Sequence, residues 1–225
     1  MRSYGRRRGR KPSNRQQTLW SEVLPRIALP LDGEELRHPQ RLFSPPVRDV
    51  WLEIGFGGGE HLLWQARQHP DVGIIGCEPF EDGVIKVLSA VASENVANIR
   101  VHADDARPLL RQLPDGSLGR VFVLFPDPWP KRRHHKRRLL SSETVSDIAR
   151  AMRPGAELRI ATDTGGYAWA ILHAVLLRGC FEWTATCADD WRWRPSDWPA
   201  TRYEAKALRE HRKSYYFRFR RLDRR

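Results

Sequence analysis

No apolar run in this 225-residue chain approaches the roughly 20 residues that a helix needs to cross a membrane, so a helical span is excluded. Cysteine is scarce. Cys77, Cys180 and Cys187 are odd in number and show no CxxC or other ligand spacing, so neither a disulfide framework nor a metal site is expected. The N-terminus lacks the apolar segment of a secretion signal, which argues against export and for a reducing cytoplasm. No internal repeat is present, and the length suits one sizeable α/β domain.

Acidic residues are missing from particular stretches. Residues 1–21 carry seven basic side chains and no acid, residues 131–138 carry six and none, and residues 201–225 carry ten against three acids. The net charge of +12 therefore divides into +20 on three segments and −8 on everything else. Such a division fits a polyanion that touches selected segments, and nucleic acid rather than a membrane, because no basic amphipathic helix accompanies the charge. Residues 1–21, rich in Arg, Gly and Ser, read as a flexible basic arm, and residues 22–225 as a single domain.

From residue 49 onward short apolar runs alternate with helix-length segments. Runs at 50–54, 73–77, 99–102, 121–125 and 158–161 read as strands buried on both faces. Helices are predicted from Glu60, over Val84 to Val96, from Leu139 to Met152, and from Asp163-Thr164 to just before Gly179. Repeated βα units imply a mostly parallel, doubly wound, Rossmann-like sheet. Phe181 to Thr186 and Tyr215 to Phe219 break the rhythm and are expected to close one edge as an antiparallel pair. Between them Trp183, Trp191, Trp193 and Trp198 are expected to pack.

The first strand runs into Gly55-Phe56-Gly57-Gly58-Gly59-Glu60. Glycines there let the backbone approach a ligand at the carboxyl ends of the strands. A dinucleotide fingerprint anchored on Gly55 and Gly57 requires glycine at position 60, where Glu60 would repel a pyrophosphate and welcome a cation. Glu53, Glu78 and Asp105 put an acid at or just past the ends of three successive strands. This suits an adenosine ligand with a positive centre, of which S-adenosylmethionine is the common one. After the fourth strand, Pro126, Pro128 and Pro130 stiffen a loop that holds Asp127 and Trp129 next to the cations of 131–138.

The run Phe125-Pro126-Asp127-Pro128-Trp129-Pro130-Lys131, continued by Arg133-His134 and Lys136-Arg137-Arg138, resembles the bacterial TrmB-type tRNA (guanine-N7)-methyltransferase family. Further blocks follow in family order: Leu52 to Gly57 with Gly59-Glu60, then Asp105-Ala106, Thr162-Asp163 and Thr201-Arg202-Tyr203-Glu204. The basic arm Tyr4-Gly5-Arg6-Arg7 is similar too. Pro79-Phe80 after Glu78 is a minor departure. At Arg209-Glu210-His211 the family pattern leads one to expect a glycine-containing turn.

The resemblance implies a class I S-adenosylmethionine-dependent methyltransferase acting on tRNA, at the variable-loop guanine 46. It implies that Glu53, Gly55, Gly57, Glu78, Asp105 and Asp127 form the cofactor site, with Asp127 catalytic. It further implies that Lys131, Asp163, Thr201, Arg202, Tyr203 and Glu204 meet the guanine, and that Arg133, His134, His135, Lys136, Arg137 and Arg138 contact RNA. Asp163 and Glu204 are the expected acceptors for the guanine N1–H and N2 amino edge. A monomer is the working expectation for the assembly. A nicotinamide-dependent oxidoreductase, a methyltransferase for another RNA or base nitrogen, and a non-catalytic RNA-binding relic stand as alternatives.

Overall fold

The central strands of the sheet, Asp49–Ile54, Val72–Cys77 and Leu118–Leu124, come from apolar runs whose residues divide between two separate cores. The computed structural model describes residues 7, 9, 11–29, 31, 34–94, 96–223. Short helices α1 (Asn14–Thr18) and α2 (Leu24–Ile27) are joined by one π-helical turn, Leu19–Val23. Then come β1 (Asp49–Ile54), α3 (Glu60–Gln68), β2 (Val72–Cys77), α4 (Glu81–Glu94), β3 (Ile99–His102) and α5 (Ala106–Gln112). The chain continues as β4 (Leu118–Leu124), α6 (Ser142–Ala151), β5 (Met152–Thr162), α7 (Gly165–Leu176), β6 (Phe181–Trp183), α8 (Asp189–Arg192), α9 (Arg202–Arg209) and β7 (Tyr215–Arg221).

The seven strands lie in the order β3-β2-β1-β4-β5-β7-β6. The first five are parallel, and β7 runs antiparallel between β5 and β6. Along β1, Val50, Leu52 and Ile54 enter the core covered by α5, α6 and α7, while Trp51 enters the one covered by α3 and α4. Along β7, Phe217 and Phe219 join the first core and Tyr216 the second. This is the two-residue period of a strand sandwiched between helical layers.

Three expectations need correction. Residues 14–21, assigned to a flexible arm, are helical: Ser13 caps α1 with a reciprocal capping box, and Leu19, Trp20, Val23, Leu24 and Ile27 pack on the α3–α4 core. The rest of that arm falls largely on residues 1–6, 8 and 10, outside the described residues. Helix α5 was not anticipated, because Pro108 stands inside its seven residues. Among the tryptophans, Trp183, Trp191 and Trp198 pack as expected, whereas Trp193 is 70% exposed.

The C-terminus of α9 replaces the expected glycine turn with His211 at φ +53°. The Arg212 N–H donates to the Ala207 carbonyl at 2.8 Å and the His211 N–H to the Leu208 carbonyl at 3.0 Å, which is the paired arrangement of a Schellman cap. A histidine occupies the left-handed position that glycine fills without strain. Among the described residues, no helix is long and apolar enough to cross a membrane.

Candidate active site

At the carboxyl ends of β1, β2, β3 and β4 a cavity of about 410 Å³ opens. Its wall includes Gly55, Gly57, Glu78, Asp104, Asp105, Asp127, Trp129 and Tyr203. The β1–α3 turn is shaped by three left-handed glycines, Gly55, Gly57 and Gly59. A Cβ on Gly55 would have nothing within 4 Å, so this backbone faces open space, while one on Gly57 would strike the Tyr203 ring at 2.8 Å. Glu60 opens α3 and pairs with Arg202 at 3.5 Å, so a carboxylate already answers that helix's positive end. A pyrophosphate has no place there.

Glu78 directly follows β2 and is buried, with Oε2 accepting from the Gly57 N–H at 2.7 Å and Oε1 from the Phe80 N–H at 2.9 Å. Burial raises its pKa against the pull of those two bonds, and the Asp127 charge raises it further. Asp105 caps α5, accepting from the Arg107 N–H at 2.9 Å and its Nε at 2.8 Å, and forms an ion pair with that guanidinium. Desolvation of Asp105 is outweighed by Arg107, so its pKa is lowered. Asp104 beside it pairs with Arg7.

Asp127 is different. It is solvent-accessible at the cavity rim, yet the surrounding walls desolvate its carboxylate enough to raise its pKa. Among the described lining residues it is the one carboxylate with neither an ion pair nor a hydrogen bond. The loop that presents it is strained, with Phe125 at φ +52° and Trp129 at φ +42°, both in the left-handed region that bulky residues avoid.

Glu53 does not line this cavity. Its carboxylate, 2% exposed, faces His61 Nδ1 at 2.7 Å. It borders a side recess of about 10 Å³ that shares Gly55, Leu124, Phe125 and Tyr203 with the main cavity and adds Glu60, His61 and Thr201. The recess is where the cofactor-side and substrate-side predictions meet.

On the substrate side, Thr201 caps α9 through the Glu204 N–H at 3.3 Å, and Tyr203 stands exposed over the glycine turn. Glu204 lies on the buried face of α9 with Ala207, and its Oε1 accepts from Tyr216 Oη at 2.6 Å and Arg194 Nε at 3.0 Å. In this arrangement the carboxylate anchors the helix through Oε1, while Oε2 has no hydrogen-bond partner among the described residues. Asp163, just past β5, is paired with Arg212 at 2.8 Å and remains 20% exposed.

The basic loop also divides. Arg138 donates to the Pro128 carbonyl at 2.9 Å and its guanidinium sits 4.7 Å from the Tyr167 ring, so it braces the loop. Arg137 lies 5.0 Å over the Trp129 ring at the cavity wall, and His134 meets the same indole edge-on at 5.9 Å. Desolvation and the cations around it lower the His134 pKa. Lys131, Arg133, His135 and Lys136 are exposed and available to phosphates. His61, Arg107, Arg194 and Arg212 were missed. Of these only Arg107 had a local signal, lying two residues beyond the Asp105 cap.

A sheet of this order with an acid-lined cavity at its carboxyl edge defines a Rossmann-like α/β methyltransferase. Solved structures share the fold. One of an antibiotic-related methyltransferase matches with TM-score 0.59 and 12% identity, over 87% of this chain and 96% of that one. The 16S rRNA methyltransferase KamB matches with TM-score 0.58 and 17% identity, over 84% and 92%. The family model described as "Putative methyltransferase" matches residues 47–217. The tRNA (guanine-N(7)-)-methyltransferase of Rhodospirillum rubrum is 51% identical over 99% of this chain and 89% of its own length. That of Hyphomonas neptunium is 51% identical over 92% and 94%. The chain belongs to the tRNA (guanine-N7)-methyltransferase family.

Proposed function

We propose that this protein transfers a methyl group from S-adenosylmethionine to N7 of a guanine in tRNA, the variable-loop guanine at position 46. The observation that carries the reading is the unpartnered Asp127 carboxylate in an acid-walled cavity beside an exposed basic loop. When bound, the cofactor supplies an electrophilic methyl group on a cationic sulfonium. The residues present fit it. Gly55 leaves space against the backbone, Glu78 has lone pairs left for ribose hydroxyls, and the acids of the wall favour a cation.

Guanine N7 carries an in-plane lone pair, so no proton has to leave before methylation, and the purine gains positive charge instead. No general base is needed at that atom. Asp127 stabilises the growing charge by its fixed position, and Tyr203 walls the cavity over the glycine turn. Asp163 receives the guanine N1–H and N2 amino group by exchanging its Arg212 partner, which distinguishes guanine from adenine. Lys131, Arg133, His135 and Lys136 hold phosphates. N7 lies in the deep groove of A-form RNA, so an unpaired or exposed guanine is the accessible target.

The test is incubation with labelled methyl donor and a tRNA transcript, followed by chemical cleavage at 7-methylguanine. Cleavage at position 46, lost when that guanine is replaced by adenine, supports the reading. Label at any other base overturns it.

A further inference from the structure

Behind the side recess lies a set of buried polar groups that the proposed reaction leaves unused. His61 on α3 is 2% exposed, with Nδ1 on Glu53 and Nε2 lying 3.1 Å from the amide nitrogen of Gln65. Gln65, one turn further along and 1% exposed, also donates from that nitrogen to the Asp197 carbonyl at 3.5 Å. Its Oε1 is buried without a partner among the described residues.

These contacts fix which ring nitrogen carries the proton. The Gln65 amide has two hydrogens, one for Asp197 and one for His61 Nε2, so Nε2 accepts and the ring proton stands on Nδ1, donated to Glu53. Turning the amide over would set Oε1 against the Asp197 carbonyl, acceptor against acceptor. The position of Asp197 therefore holds the amide in an orientation that strands Oε1 but gives Glu53 its donor.

Asp197 belongs to the segment that leads into α9. Its carboxylate pairs with Arg159 at 2.7 Å, and Trp198, 2% exposed, meets the His61 ring edge-on at 6.4 Å. Arg194 donates both to the Trp198 carbonyl and to Glu204, so residues 194–204 are tied to one another. Should Asp197 withdraw, the Gln65 amide loses the acceptor that fixes its orientation, and with it the restraint that keeps its donor on His61 Nε2 and the Nδ1 proton on Glu53. This small network thus reports the place of the α9 segment to the end of β1.

We propose that His61 is a positioning residue which, through Gln65 and Asp197, couples cofactor binding at Glu53 to the seating of the 194–204 segment on tRNA. The inference rests on the proposed function together with the resemblance's reading of Glu53, which borders the recess adjoining the cavity, as a cofactor-side residue and of α9 as a substrate-side one. Such coupling is reciprocal and ordinarily 5- to 150-fold.

The experiment is calorimetric titration of S-adenosylhomocysteine with and without saturating unmodified tRNA transcript, for the wild type, Gln65→Met and His61→Asn. Methionine keeps the shape of Gln65 and removes its donors. Asparagine keeps a donor for Glu53 and loses the reach to Gln65, which preserves the test if the first variant fails to fold. The wild type should bind S-adenosylhomocysteine at least 5-fold more tightly with tRNA, and either variant less than 2-fold. A purely structural role would lower melting temperature and weaken both titrations while leaving that ratio intact, which would overturn the proposal, as would a wild-type ratio of one. If the wild-type chain binds no S-adenosylhomocysteine at all, the proposed function itself is wrong and the coupling falls with it.

Discussion

Replacing Asp127 with asparagine should make the protein slower and more stable at once. The substitution keeps the shape and removes the one unpartnered carboxylate of the cavity. A unit positive charge about 4 Å away gains about 1 kcal/mol from such a carboxylate in water and about 4 kcal/mol at an effective dielectric of 20. The rim position lies between those limits, so about 2–3 kcal/mol of transition-state stabilisation is lost, roughly 100-fold in single-turnover rate. Stability moves the other way. Desolvation raises the Asp127 pKa in the native state, so the ionised carboxylate opposes folding above that pKa, and the effect fades as pH falls from the raised native value to the unfolded one near about 3.9, below which it is gone. The Asn variant should therefore melt higher than the wild type at pH 7 and coincide with it in acid. Single-turnover methylation with saturating tRNA and calorimetric melting between pH 3 and pH 8 read both effects. A rate within threefold of the wild type, or a lower melting temperature at pH 7, would refute the reasoning.

His211→Gly relieves a left-handed backbone at the α9 cap and should stabilise the fold by about 1 kcal/mol, roughly 2 °C in melting temperature for a chain of this size. Asp49, held by Arg153 at 2.6 and 2.8 Å and by the Trp51 indole at 2.9 Å, keeps a lowered pKa in spite of burial. Asp49→Ala should cost about 2–3 kcal/mol at neutral pH in denaturant titrations. That difference is fully present above the unfolded carboxyl value near about 3.9 and is lost as pH falls through the lower native pKa. Removing both Arg133 and Lys136 as alanines should flatten the logarithmic salt dependence of tRNA binding by about 1.5, with cofactor binding unchanged. An unaltered slope would mean that these cations do not meet phosphate.

The strands were legible because burial on both faces demands apolar-rich runs, and β1, β2, β3, β4 and β5 have them, interrupted singly at Glu53, Arg100 and Arg159. Their carboxyl ends then located Glu78, Asp105 and Asp127 on one cavity. What sequence spacing did not show was direction. Tyr203 and Glu204 are neighbours, yet the 100° step of a helix sends one to solvent and the other into the core, and the partners that hold Glu204 lie 10 and 12 residues away. Glu53 was placed on the right strand end, but its link to His61 depends on how α3 returns over the sheet. The helix at 14–27 was hidden by composition: the arginines and glycines before it set the reading, and the start of its apolar stripe, Leu19 and Trp20, was counted as arm.

The reversal of β7 has a consequence for how such enzymes diversify. In an all-parallel sheet each connection must carry the chain back to the far edge before the next strand begins. Here Tyr215 opens β7 opposite Thr162, at the edge where the cavity lies, so β7 begins where the α9 segment ends. The stretch from 184 to 214 leaves and re-enters the sheet over the site, pinned to the core at Trp198, Glu204 and Ala207. Between those pins its exposed positions, Trp193 and Tyr203 among them, can vary without moving a strand, which offers a surface by which one methyl-transfer core is fitted to differently shaped RNAs.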